Sequence, residues 1–151
     1  MKKFILLLVL LNISLLGSFS YVRANEEVSF KVIVNASNPQ SELTTREISK
    51  LFLKKVKRWK ESNEAVLPID LLADSPVRGK FSAEIHGRKL SSIKAYWQKQ
   101  IFSGRGVPPE EGGSDKEVLE YVAENAGAIG YVSEAADIDQ YNVKIVNIIK
   151  K

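Results

Sequence analysis

Apolar and polar positions alternate along this chain in blocks that switch between the strand and helix periods. Phe30-Lys31-Val32-Ile33-Val34-Asn35 is β-branched and apolar, and predicts a buried strand. Ala36 to Ser41, with Pro39, predicts a loop. Thr44 and Glu47 then have capping-box spacing, Leu43 and Ile48 that of a hydrophobic staple, and Ile48, Leu51 and Phe52 share one helical face. Val66 to Leu72 predicts a second strand, with Pro68 where no ladder donor is needed. Ser75 and Pro76 have the pattern of an N-cap followed by a first-turn proline. The helix they open carries Val77, Phe81 and Ile85 on one face and stops at Gly87.

A third helix is expected over Ser91 to Phe102, with Ile93, Trp97 and Ile101 on one stripe and Tyr96 beside it. Core packing accounts for that aromatic stripe better than a ligand box does. Ser103 to Pro109 is a loop extended by Glu110 to Gly113. Ser114 and Glu117 repeat the capping-box spacing and open a helix with Val118, Leu119 and Val122 inside. Gly127 is expected to end that helix in the left-handed conformation. Ala128 to Val132 and Val143 to Ile149 are two more strands, joined by an acidic, alanine-containing segment expected to form a short helix. Strands separated by helical patterns imply a three-layer α/β domain with a mixed or mostly parallel sheet.

The first residues have a different logic. Lys2 and Lys3 precede a nearly unbroken apolar run from Phe4 to Leu16, and Val22-Arg23-Ala24 supplies a small-residue cleavage site. Residues 1–24 are read as a secretory signal peptide, too short and wrongly flanked for a stable membrane anchor. A periplasmic or secreted domain over residues 25–151 follows, and the lack of any cysteine closes the lipoprotein route. Removing Lys2, Lys3 and Arg23 brings 22 basic side chains to 19 against 18 acidic ones. The mature chain is therefore near-neutral, which argues against nucleic acid as a partner. The basic run Lys54 to Lys60 then reads as a solvated helix end with Trp59 tucked onto the domain, rather than as a polyanion or membrane patch.

Candidate chemistry is sparse. The single histidine, His86, rules out a multi-histidine zinc site, has no evident nucleophile beside it, and fits the last turn of a helix. Asp70, Asp74, Glu110 and Glu111 form no recognisable acid–base or metal-ligand spacing, so neither an enzyme nor a metal or other cofactor is expected. Asp74-Ser75-Pro76-Val77-Arg78 lies where a strand turns into a helix, a geometry whose unpaired backbone N–H groups accept anions. The Ser75 hydroxyl and the Arg78 guanidinium are its candidate ligands, although the same residues also describe an ordinary cap and a solvated arginine. Ser103-Gly104-Arg105-Gly106 is a second candidate, with Ser103 and Arg105 as anion contacts, and equally an ordinary flexible loop.

Three segments in fixed order sharpen this picture: Leu51 to Trp59, Ala73 to Arg78, and Gly127-Ala128-Ile129-Gly130-Tyr131-Val132. Together they resemble the PstS-type phosphate-binding proteins of bacterial ABC transporters, from about Leu43 to Val132. The resemblance implies a periplasmic-binding-protein-like lobe that binds phosphate or a related oxyanion for ABC-type uptake at a helix N-terminus. It makes an ABC permease or an envelope receptor the implied partner. The chain also departs from the family. Leu72 stands where the family has an arginine, and Ser75-Pro76-Val77-Arg78 replaces its Gly-Ser-Gly-Thr-like turn. Arg78 is the candidate substitute for the missing arginine. Family members have two lobes and chains about twice as long, so a second copy or a partner would have to supply the opposing wall. The alternative is an envelope interaction or sensor module that keeps the lobe fold without small-molecule transport.

Overall fold

The computed structural model describes residues 27–150, so the signal-peptide reading of residues 1–24 lies outside the described residues. Six strands form one mixed sheet: β1 (Phe30–Asn35), β2 (Glu42–Thr44), β3 (Leu67–Leu71), β4 (Glu110–Gly112), β5 (Ala128–Ser133) and β6 (Val143–Ile149), in the order β2-β6-β1-β5-β3-β4. The helices are α1 (Thr45–Phe52), α2 (Pro76–Phe81), which runs on as a π-helical turn over Ser82–His86, α3 (Leu90–Phe102) and α4 (Asp115–Glu124). Strand β1 is antiparallel to both β5 and β6, whereas β3 is parallel to β5 and to β4.

The β1–β5 register pairs Val32 with Tyr131 and Ile33 with Gly130, and strand periodicity sends these two pairs to opposite faces. On one face Tyr131 stacks on Phe81 of α2, with centroids 3.8 Å apart and ring planes within 5°. Phe30 meets both of these rings edge-on. On the other face Gly130 lies beneath Val118 and Val122 of α4. Helices on both faces bury β1 and β5 almost completely, which explains their continuous apolar sequence.

Of the three expected N-caps, Thr44 and Ser114 form their side-chain bonds and Ser75 does not. Thr44 and Glu47 make the full reciprocal box, and Leu43 and Ile48 are buried in the main core beside it. At α4 the Ser114 hydroxyl accepts from the Glu117 N–H, while the Glu117 carboxylate takes the Gly113 N–H, one residue further out than in a full box. Gly87 ends the π-helical turn at φ +62°.

Four expectations are corrected. Gly127 is not a left-handed helix stop, because α4 ends at Glu124 and is capped by Asn125 in an extended conformation. Gly127 is needed instead for a close approach: a Cβ there would overlap the Ala65 carbonyl oxygen. Its own carbonyl accepts from Trp59 Nε1 at 2.9 Å and from the Leu67 N–H at 3.0 Å. The segment between β5 and β6 is a run of turns rather than a helix. There the Asp137 carboxylate takes the Asp139 N–H, and such local bonds compete with helix formation. Ile101 is half exposed, because α3 buries only Ile93 and Trp97, in a small cluster with Leu53. Part of the expected loop, Glu110–Gly112, is an edge strand.

Candidate functional site

The Ser75–Arg78 turn is positioned by the end of β3 and the start of α2. Ser75 is the N-cap residue in extended conformation, but its side chain makes no capping bond, and Pro76 takes the first turn. Arg78, one turn in, points back beneath the sheet edge and is only 5% exposed. Its guanidinium donates to the Leu71 carbonyl at 2.6 Å, to Asp70 Oδ2 at 3.4 Å and to the Glu111 carboxylate. Parallel pairing of β3 with β4 sets Glu111 directly beside Asp70, so register delivers both carboxylates to one arginine.

Asp70 also accepts from the Tyr131 hydroxyl at 2.7 Å. Burial raises the Asp70 pKa above the usual carboxylate range, with Arg78 and Tyr131 pulling the other way. Burial works against the charge of Arg78, but Asp70 and Glu111 outweigh it and hold the guanidinium firmly protonated. Tyr131 is pushed far above an ordinary phenol, first by burial and then by Asp70. This network is a satisfied polar core with one cation against two carboxylates, and it leaves no spare positive charge for an anion. The cleft outside Pro76 and Val77 is lined by Glu27 and Glu134 and by no cation.

The second candidate pair stands elsewhere. Ser103 turns its hydroxyl back onto the Lys99 carbonyl at 2.8 Å. Gly104, at φ +66°, and Arg105 close a Schellman motif on α3: the Gly104 N–H reaches the Ile101 carbonyl and the Arg105 N–H the Gln100 carbonyl. Helix α1 ends in the same motif, with Lys54 in the left-handed conformation at φ +51° and N–H groups of Lys54 and Lys55 bonded to Leu51 and Lys50 carbonyls. The two helix ends flank a hollow of about 240 Å³, walled by Leu53, Tyr96 and Trp97 and edged by Lys54, Lys57 and Arg105. Arg105 therefore shares its surroundings with Lys54 and Lys57, not with Ser75 or Arg78.

Lys54 Nζ donates to the Pro108 carbonyl at 2.9 Å, tying the loop after α3 to the end of α1. Burial lowers its pKa, Glu110 opposes the shift and Lys57 adds to it. No ion pair engages Lys54, Lys57 or Arg105 among the described residues. Trp59 is buried as expected, and Lys57, Arg58 and Lys60 are exposed around it. The basic run contained the signal for this hollow, but only folding shows that two of its lysines meet Arg105. His86 sits at the end of the π-helical turn, with Nδ1 2.8 Å from Ser49 Oγ and the Phe81 ring meeting it edge-on. Burial, reinforced by Arg88, Arg78 and Lys55, lowers its pKa to about 4. Among the described residues no cluster of histidine and carboxylates is placed to hold a metal ion.

No family model matches the chain, and no curated protein matches it by sequence. Solved structures do match its fold. A candidate phosphate ABC transporter substrate-binding protein from Clostridium perfringens, with phosphate bound, superposes at a TM-score of 0.63 and 21% identity, over 80% of this chain and 45% of its own. An ABC-type phosphate transport receptor from Vibrio cholerae gives 0.63 and 19%, over 80% and 46%. PstS from Borrelia burgdorferi gives 0.56 and 15%, over 80% and 47%. The fold is that of these solute-binding proteins, and the chain spans less than half the length of each, as a single-lobe form does.

Proposed function

We propose that this chain is a non-enzymatic binding lobe of the phosphate-receptor fold that acts in the cell envelope by engaging a partner, not by carrying phosphate. The observation that supports this most is the state of Arg78. An anion gripped at Ser75–Arg78 would have to draw the guanidinium away from Asp70, a carboxylate with almost no access to water. Breaking a buried pair in that way costs about 3–5 kcal/mol, more than a solvent-open anion contact returns. Isothermal titration calorimetry and thermal shift with inorganic phosphate test the reading. No heat and no shift across millimolar phosphate are expected, and a dissociation constant of about 10 μM or below would overturn it.

One observation favours the second reading, a lobe that binds a phosphate-class oxyanion for ABC-type uptake. Arg105, Lys54 and Lys57 edge one hollow with no carboxylate in its lining. On that reading Arg105→Ala abolishes the phosphate heat while Ser75→Ala leaves it unchanged. A permease or a second copy would then have to close over the open side, because a single lobe cannot desolvate the ion.

A further inference from the structure

The hollow at the end of α3 is open to water along its lip, where Val107 is 63% exposed beside the Tyr96 and Trp97 rings. An exposed apolar lip on a concave aromatic wall, edged by cations that no carboxylate pairs, marks a surface that another molecule covers. Resting on the reading above, we propose that this surface docks an acidic linear segment of a partner protein. One of the segment's apolar side chains would enter the hollow against Tyr96 and Trp97, and its flanking carboxylates would pair with Lys57 and Arg105.

Charge complementarity chooses the partner. Lys54, Lys57 and Arg105 edge the hollow, and no carboxylate is in its lining; Glu110 acts on Lys54 but is not part of the wall. The partial negative charge of two helix C-termini, about half a unit each, offsets only part of the positive charge. Shape separates a protein segment from a lipid surface. A hollow of about 240 Å³ suits one or two side chains, whereas the flat face of a bilayer fits a concave wall poorly. The 19 basic and 18 acidic residues of the chain after residue 24 also give no general field toward an anionic membrane. The loop that bears Val107 is held by the Lys54–Pro108 bond, so the lip is preorganised.

The test is selection of random twelve-residue peptides displayed on phage against the wild-type protein, followed by fluorescence polarisation with the synthetic winners. Enrichment of sequences with Asp or Glu beside an aromatic or aliphatic residue is expected. Val107→Ala and Lys57→Glu should each weaken their binding by about tenfold or more. Both positions are exposed, so neither substitution should alter the melting temperature. Winners without acidic bias, or winners whose affinity ignores both substitutions, overturn the proposal. So does co-sedimentation with phosphatidylglycerol vesicles that depends on Lys57 when no peptide binds. Phosphate titration runs alongside: tight phosphate binding sinks the functional reading and leaves a positive peptide result standing, while silent phosphate with failed peptides removes the docking surface alone.

Discussion

At the scale of single residues, the chain repeatedly uses a side chain's burial to settle what it can do. His86 shows this through pH. Its folded pKa of about 4 lies below the ordinary 6.5, so the folded protein refuses a proton that the unfolded chain accepts. Stability is then whole above about pH 6.5 and falls as the pH drops toward about 4, by about 2–3 kcal/mol from this group. Urea unfolding of wild type and His86→Gln across that range measures it: the difference between the two should shrink as the pH falls. Gly127 is equally decisive without any charge. Gly127→Ala forces a methyl group into the Ala65 carbonyl, a backbone atom that cannot swing away, and threatens the Trp59 and Leu67 bonds to the Gly127 carbonyl. A loss of about 3 kcal/mol or more is expected, read as a lower urea midpoint with unchanged slope.

At the scale of elements, the spacing between α4 and the sheet is set by glycine on the strand side. A Cβ at Gly130 would lie 2.7 Å from Val118 Cγ1 and 3.0 Å from Ile69 Cγ2. Gly130→Ala should cost about 1–3 kcal/mol by overpacking, and Val118→Ala placed in the same chain should recover part of the loss. A double-mutant cycle in urea measures that coupling. The elements legible in advance were those with long apolar periods or clear ends: β1, β3, β5 and β6, the capped starts of α1 and α4, α2 between Pro76 and the Gly87 stop, and α3 to within one residue. Strands β2 and β4 span three residues each and carry no apolar run, so only their neighbours reveal them. The segment of turns after β5 failed as a helix because its aspartates bond locally. The candidate site was legible only in its members. That Arg78 is enclosed depends on β3–β4 register, and Glu111 is 33 residues from it in sequence. The meeting of Arg105 with Lys54 and Lys57 depends on two separate helix ends lying side by side.

At the scale of the molecule, the buried apolar side chains among the described residues form two clusters of very unequal size. The larger unites the sheet, α1, α2 and α4; the smaller joins only Leu53, Ile93 and Trp97, with Tyr96 packed on it. Helix α3 therefore rests on few buried contacts, and local opening follows such weak attachment. Amide hydrogen exchange should show α3 losing protection well before β1 and β5, which open only with global unfolding. Uniform protection across all three would contradict this. The satellite cluster is also the wall of the hollow, so the part of the molecule best placed to meet a partner is the part least fastened to the rest.

The two tryptophans fall one in each cluster, Trp59 in the large one and Trp97 in the small. Nature has thereby divided the protein's intrinsic fluorescence between two reporters with separate loyalties. Trp59, hydrogen-bonded to Gly127, follows the integrity of the sheet. Trp97 lines the hollow, and its emission follows whatever enters there. Replacing Trp59 with phenylalanine would leave a molecule whose only indole signal comes from the hollow, an optical probe built into the chain at the place where occupancy matters.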